Sequence, residues 1–94
     1  MRSQSIYKVP QGKLLKISIE FDEKDKVIRD IRITGDFFAY PEEAIELMET
    51  KLKNTLIERA QLQEKIRSII TEYHIQFIGL DAEGLTHGIL MCKL

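Results

Sequence analysis

The chain has 94 residues, 44% of them hydrophobic and 31% charged, which fits one folded domain spanning 1–94 and excludes a disordered chain. A domain this size buries roughly 60–65% of the surface its unfolded chain exposes, so it can fold alone, with a thin margin. Fourteen basic and 15 acidic side chains give a formal net charge of −1, without the clustered basic surplus of a duplex nucleic-acid binder.

Cys92 is the one cysteine, so no internal disulfide can form, and no Cys/His spacing fits zinc. The N-terminus lacks an apolar signal core, and no apolar run approaches the length that spans a bilayer. The expectation is a reduced, cytoplasmic protein without a membrane partner.

Ile6 to Val9 reads as a short first strand, followed by a Pro10-Gln11-Gly12 turn. Leu15, Ile17, Ile19 and Phe21 then alternate with Lys16, Ser18 and Glu20, a period of two that separates an apolar face from a polar one. Asp22 to Lys26 is a polar turn. Val27 to Ile33 returns, with Ile31 and Ile33 inward and Asp30 and Arg32 outward. An antiparallel meander with one solvated face accounts for this pattern.

Gly35-Asp36-Phe37-Phe38 breaks the strand pattern. Pro41 is placed to open a helix, where its missing N–H costs nothing, with Glu42 and Glu43 in the first turn. Ile45, Met48 and Leu52 fall on one helical face, and Asn54 can end the helix in a left-handed conformation. Thr55 and Glu58 match a capping box for a second helix, whose stripe is Leu62, Ile66, Ile69, Ile70 and Tyr73. His74 to Gly79 is a connection or short strand. Asp81 can cap a third helix, with Leu80 and Leu85 as a hydrophobic staple and Leu85, Ile89 and Cys92 toward the core. Gly84 and Gly88 weaken that helix by roughly 1 kcal/mol each relative to alanine. Strands followed by helices mean an α+β fold: a small antiparallel three-stranded sheet with two to three helices packed on one face.

No Walker A loop, GxGxxG, HExxH or GxSxG is present. His74 and His87 lie on different elements, and each reads as a surface or satisfied core residue. Cys92 reads as a small buried hydrophobe rather than a nucleophile. Asp22, Glu23 and Asp25 are interleaved with Lys24 and Lys26 and read as a solvated turn rather than a cation loop. Arg59, Glu64, Lys65 and Arg67 read as the solvated face of the second helix.

Five further residues carry more information. Gly35 permits a sharp exit from the strand, and Asp36 could accept hydrogen bonds from loop N–H groups. Phe37 and Phe38 are consecutive, and in extended backbone neighbours point to opposite sides. One can plug the gap between sheet and helices while the other faces outward as an anchor for a partner; both could instead fill the core. Lys13 is presented at the sheet edge, either as a solubilising charge or as a contact to a phosphate or carboxylate of a partner.

Val9-Pro10-x-Gly12-Lys13 before an alternating strand, then Ile33-x-Gly35-Asp36-Phe37-Phe38, then a Pro41-started helix, resembles the C-terminal domain of lipoate–protein ligases. The resemblance runs from about Tyr7 to the last helix. In that family a large domain binds lipoate and ATP, and the small C-terminal domain closes over it; some prokaryotes, archaea among them, carry the small domain as a separate polypeptide. The resemblance therefore implies a non-catalytic accessory subunit of a two-chain ligase, with no active site of its own. Its partner would be the catalytic subunit, which binds ATP, magnesium and lipoate, and through it the lipoyl acceptor domains. The implied first half-reaction joins the lipoate carboxylate to the α-phosphate of ATP, giving lipoyl-adenylate and pyrophosphate. The second passes the lipoyl group to a lysine. The accessory chain is implied to be needed for the first half. The residues the resemblance implies as partner-interface or family-motif positions are Gly12, Lys13, Gly35, Asp36, Phe37, Phe38 and Pro41. The alternative is a protein-binding module of the same fold with a different partner.

Overall fold

A computed structural model describes residues 1–8 and 13–92. Strands β1 (Arg2–Lys8), β2 (Leu14–Phe21) and β3 (Ile28–Gly35) form an antiparallel meander in that spatial order. Leu15, Ile17, Ile19 and Phe21 are buried on one face of β2, as the alternation requires. Ile31 and Ile33 join them from β3, while Arg32 is exposed. The register shifts between Glu20 and Phe21, which pair with Asp30 and Ile28. Arg29 is the extra residue of this bulge, and skipping it brings Ile28 onto the buried face beside Ile31.

The first strand begins at Arg2, not Ile6. Its inward positions Ser3, Ser5 and Tyr7 sit opposite Ile19, Ile17 and Leu15. Two of these are serines, so no apolar alternation marks the strand. Buried Ser5 is satisfied because its hydroxyl donates to the Gly88 carbonyl at 2.7 Å. Val9 and the Pro10-Gln11-Gly12 turn lie outside the described residues.

The Asp22–Lys26 turn closes on itself. The Asp22 carboxylate accepts from the N–H groups of Lys24 and Asp25 at 2.8 and 3.1 Å. Arg29 lies 3.5 Å from carboxylate oxygens of both Asp22 and Asp25. Among the described residues no group of three His, Cys, Asp or Glu side chains could hold a metal ion.

Helix α1 spans Ala44–Lys51. Pro41 does not open it. Tyr40 still pairs in a strand with Gln76, so Pro41 serves the turn that leaves the strand, and the Ala44 N–H donates to the Pro41 carbonyl at 2.9 Å. Glu42 and Glu43 consequently precede the first turn, and Ala44, Met48 and Leu52 form the buried face with Ile45 half-buried beside them.

Helix α2 (Arg59–Tyr73) is capped by Glu58, whose carboxylate accepts from the Ala60 N–H at 3.0 Å. The expected Thr55 cap is not formed, because the link between the helices runs along the edge of β3. Asn54 N–H donates to the Ile28 carbonyl, Ile28 N–H to that of Thr55, and Ile57 N–H to that of Lys26, at 2.7, 3.0 and 2.7 Å. Asn54 has the left-handed conformation expected of it, φ +67°. Farther along the same edge, Ile33 N–H donates to the Glu49 carboxylate at 2.8 Å. The edge of β3 is thus covered by hydrogen-bonding groups of α1 and its link.

Short strands β4 (Phe38–Tyr40) and β5 (Gln76–Ile78) pair antiparallel as a second sheet. Helix α3 (Ala82–Leu90) starts at Asp81, whose carboxylate accepts from the Gly84 N–H at 2.7 Å. Leu85, Ile89 and Cys92 are buried against the sheet and α2. At Gly88 α3 packs closely on β2, since a Cβ there would lie 2.9 Å from Leu15 Cδ2. All three helices share one core with the larger sheet, giving an α+β fold. No described helix is long and apolar enough to cross a membrane.

Candidate partner-docking surface

The Gly-Asp-Phe-Phe run lies where the two sheets meet. Gly35 pairs with Leu15 at the end of β3, and a Cβ there would collide with the Leu14 carbonyl oxygen. That same oxygen accepts from the Asp36 N–H at 3.0 Å. Only a residue without a side chain lets the backbone pass this close. The Asp36 side chain is exposed, and the hydrogen bonds expected of its carboxylate are not among those formed by the described residues.

The two phenylalanines take different environments. Phe37 is half-buried against the core, with its ring edge-on to Phe77 at 6.2 Å between centroids and 83° between planes. Phe38 is 60% exposed. It opens β4, and Tyr40, two residues on, shares its face and is 53% exposed. Directly across from Phe38 stands Ile78, 56% exposed. Isolated exposed hydrophobes are common, but these three are neighbours on the outer face of one small sheet.

Lys13 borders this face. Gly79, immediately after Ile78, has φ +88°, and a Cβ there would lie 3.0, 3.6 and 3.5 Å from Cγ, Cδ and Cε of Lys13. The lysine stem therefore lies along the backbone at Gly79. Pro41 sits half-buried just beyond Tyr40, and Gly12 lies outside the described residues. Sequence reasoning did not single out Tyr40, Ile78 or Gly79. Tyr40 carried a signal, an aromatic two residues after Phe38; Ile78 carried none, because its pairing is long-range.

The other reactive types are not brought together. His74 ends α2 with φ +53°, and His87 rests its ring on Tyr7 at 4.6 Å between centroids. Cys92 is buried, its sulfur 3.9 and 4.0 Å from the carbonyls of Gly88 and Ile17, and burial raises its pKa against a smaller opposing effect of the Ser5 hydroxyl. Arg59, Glu64, Lys65 and Arg67 are exposed.

The described residues thus form an α+β domain whose small sheet presents Phe38, Tyr40 and Ile78 outward. Its family is known: a family model described as bacterial lipoate protein ligase C-terminus matches residues 10–87, and the chain belongs to that family. A curated relative, lipoate-protein ligase A subunit 2 of Thermoplasma acidophilum, is 34% identical over 86 residues, covering 88% of this chain and 82% of that protein. A solved chain superimposes with a TM-score of 0.80 at 25% identity, covering 95% of this chain and 94% of its own length. It comes from work on an archaeal lipoylation system, a bipartite lipoate protein ligase and its E2 lipoyl domain, in the same organism.

Proposed function

We propose that this chain is the non-catalytic accessory subunit of a two-chain lipoate–protein ligase, docking on a catalytic chain and needed for the ATP-dependent activation of lipoate. The observation that carries the reading is the near full-length similarity to a chain named as a ligase subunit. The exposed face of Phe38, Tyr40 and Ile78 supplies a surface for such a contact. ATP, magnesium and lipoate are assigned to the catalytic chain, as the resemblance to the ligase family implies. The product of activation, lipoyl-adenylate, would then lose its lipoyl group to a lysine of an acceptor domain.

The physical contribution of such a subunit is to confine the site. Adenylation brings two anionic reactants together and creates a mixed anhydride that water destroys. A docked domain that orders loops and excludes water raises the yield of the first step, as a closing lid does. Transfer from a preformed adenylate does not bring two anions together and should depend on this chain much less.

The test uses a catalytic chain from the same genome that lacks its own C-terminal domain. Pyrophosphate release from ATP and lipoate should require both chains, and this chain alone should release none above background. Lipoyl transfer from synthetic lipoyl-adenylate should proceed with the catalytic chain alone. Full activation without this chain, or no complex on gel filtration, refutes the proposal.

A further inference from the structure

We propose that Lys13 is a recognition residue of the docking face, its ammonium pairing with an Asp or Glu carboxylate of the catalytic chain. This inference rests on the accessory-subunit reading. It begins with the lysine stem. A solvated lysine moves through many rotamers, and ordering it on binding opposes the contact. Here Cγ, Cδ and Cε all lie against the backbone at Gly79, where a Cβ would approach Cγ to 3.0 Å. Glycine at φ +88° both makes the turn and leaves room for the stem. Part of the ordering is therefore complete before any partner arrives.

Lys13 is half-buried, and its charge has no partner among the described ion pairs, which are Arg2–Glu20, Arg29 with Asp22 and Asp25, and Lys53–Asp30. Its position gives the charge its use. Gly79 follows Ile78, which faces Phe38 across the small sheet, and Leu14 beside Lys13 is itself 45% exposed. A protein surface covering these apolar groups also removes water from around the ammonium. An ammonium desolvated without a partner opposes docking, whereas one met by a carboxylate strengthens it and fixes its register. The strip of apolar side chains calls for a protein surface, so the anion that arrives with it is a side-chain carboxylate.

Lys13→Met keeps the length and apolar stem but removes the charge. Binding to the catalytic chain is measured by calorimetry without nucleotide, at low salt and at about 0.3 M, where screening acts within a few ångströms. Expected are an unchanged melting temperature, a Kd raised about 5–10-fold at low salt, and a weaker salt dependence, with Lys13→Arg within about twofold of wild type. Lys13→Gln provides the same comparison should the methionine variant melt early. Wild-type affinity and salt dependence in the neutral variants overturn the proposal. A loss seen only with ATP present assigns the anion to a nucleotide phosphate and also overturns it. Failure of the wild-type chain to bind refutes the accessory-subunit reading instead, and this inference falls with it.

Discussion

Truncating Phe37 and Phe38 separately should give opposite phenotypes from adjacent residues. A fully buried phenylalanine cut to alanine costs about 3–5 kcal/mol. Phe37 is only half-buried but adds an edge-to-face contact with Phe77, so about 2–3 kcal/mol is expected. In a domain of this size each kcal/mol moves the melting temperature by roughly 4–8 °C, so Phe37→Ala should melt about 10–20 °C early. Phe38 is 60% exposed, and its removal should cost the free chain no more than about 0.5 kcal/mol. Against a partner it is a candidate hot spot, where truncation costs about 2 kcal/mol or more, roughly a 30-fold rise in Kd. Circular-dichroism melts of both variants, with titration against the catalytic chain while following pyrophosphate release, separate the two roles. Early melting by both variants, with docking unchanged after correction for the unfolded fraction, would reduce the pair to core packing and refute the interface argument.

Other perturbations probe the fold around this face. Gly35→Ala should destabilise by about 1–3 kcal/mol because its Cβ meets a backbone oxygen rather than a yielding side chain, and Gly35→Val by more; a melting temperature within 2 °C or so of wild type for both would show that the backbone yields there. Glu49→Ala leaves the Ile33 N–H at the edge of β3 without its partner and should cost about 1–2 kcal/mol in a denaturant titration; an unchanged midpoint would mean water replaces the carboxylate. Cys92 should react with iodoacetamide far more slowly in the native than in the unfolded chain, because burial both shields the thiol and raises its pKa; equal rates would contradict the packing of α3. Asp22 is held below the ordinary carboxylate value of 3.8, first by the backbone N–H groups of Asp25 and Lys24 and then by Arg29. Its contribution is therefore present above the unfolded pKa and lost as pH falls through the lower folded value, and a carboxyl NMR titration with a midpoint at or above 3.8 would show the turn open in solution.

What was legible in the sequence follows from where local rules decide the structure. The period-two run from Leu15 to Phe21 and the stripe through Leu62, Ile66 and Ile69 each bury a continuous apolar face, so pattern and fold agree. The start of β1 was hidden because its buried face is built from Ser3 and Ser5, and the burial of Ser5 depends on a Gly88 carbonyl far away in sequence. The Thr55 cap failed for a related reason. A local capping box competed with the edge of β3 for the same stretch of backbone, and the long-range hydrogen bonds of Asn54, Thr55 and Ile57 prevailed.

The outward face of the small sheet shows how far parity reasoning reaches. In extended backbone consecutive phenylalanines face opposite ways, but whether both filled the core, or which one faced out, depended on where strand geometry resumed after Gly35. It resumes at Phe38, because Phe38 to Tyr40 finds a partner in Gln76 to Ile78. That pairing is invisible locally, since neither three-residue strand could be stable without the other and the core beneath. The same pairing places Ile78 opposite Phe38 and Gly79 against the Lys13 stem. A single long-range contact thus converts two separate sequence features, a lysine after a turn and a phenylalanine pair, into adjacent parts of one surface. It follows that disrupting the small sheet should impair docking even where Phe38 and Lys13 are intact. Ala39→Pro fixes φ at about −65°, away from strand geometry, in the middle of the three-residue β4 without touching either side chain. Such a variant should retain the larger sheet and α2 by hydrogen exchange, lose protection at Gln76 to Ile78, and bind the catalytic chain about as poorly as Phe38→Ala. Wild-type affinity in a variant with an opened small sheet would show that Phe38 and Lys13 act independently and that the composite surface does not exist.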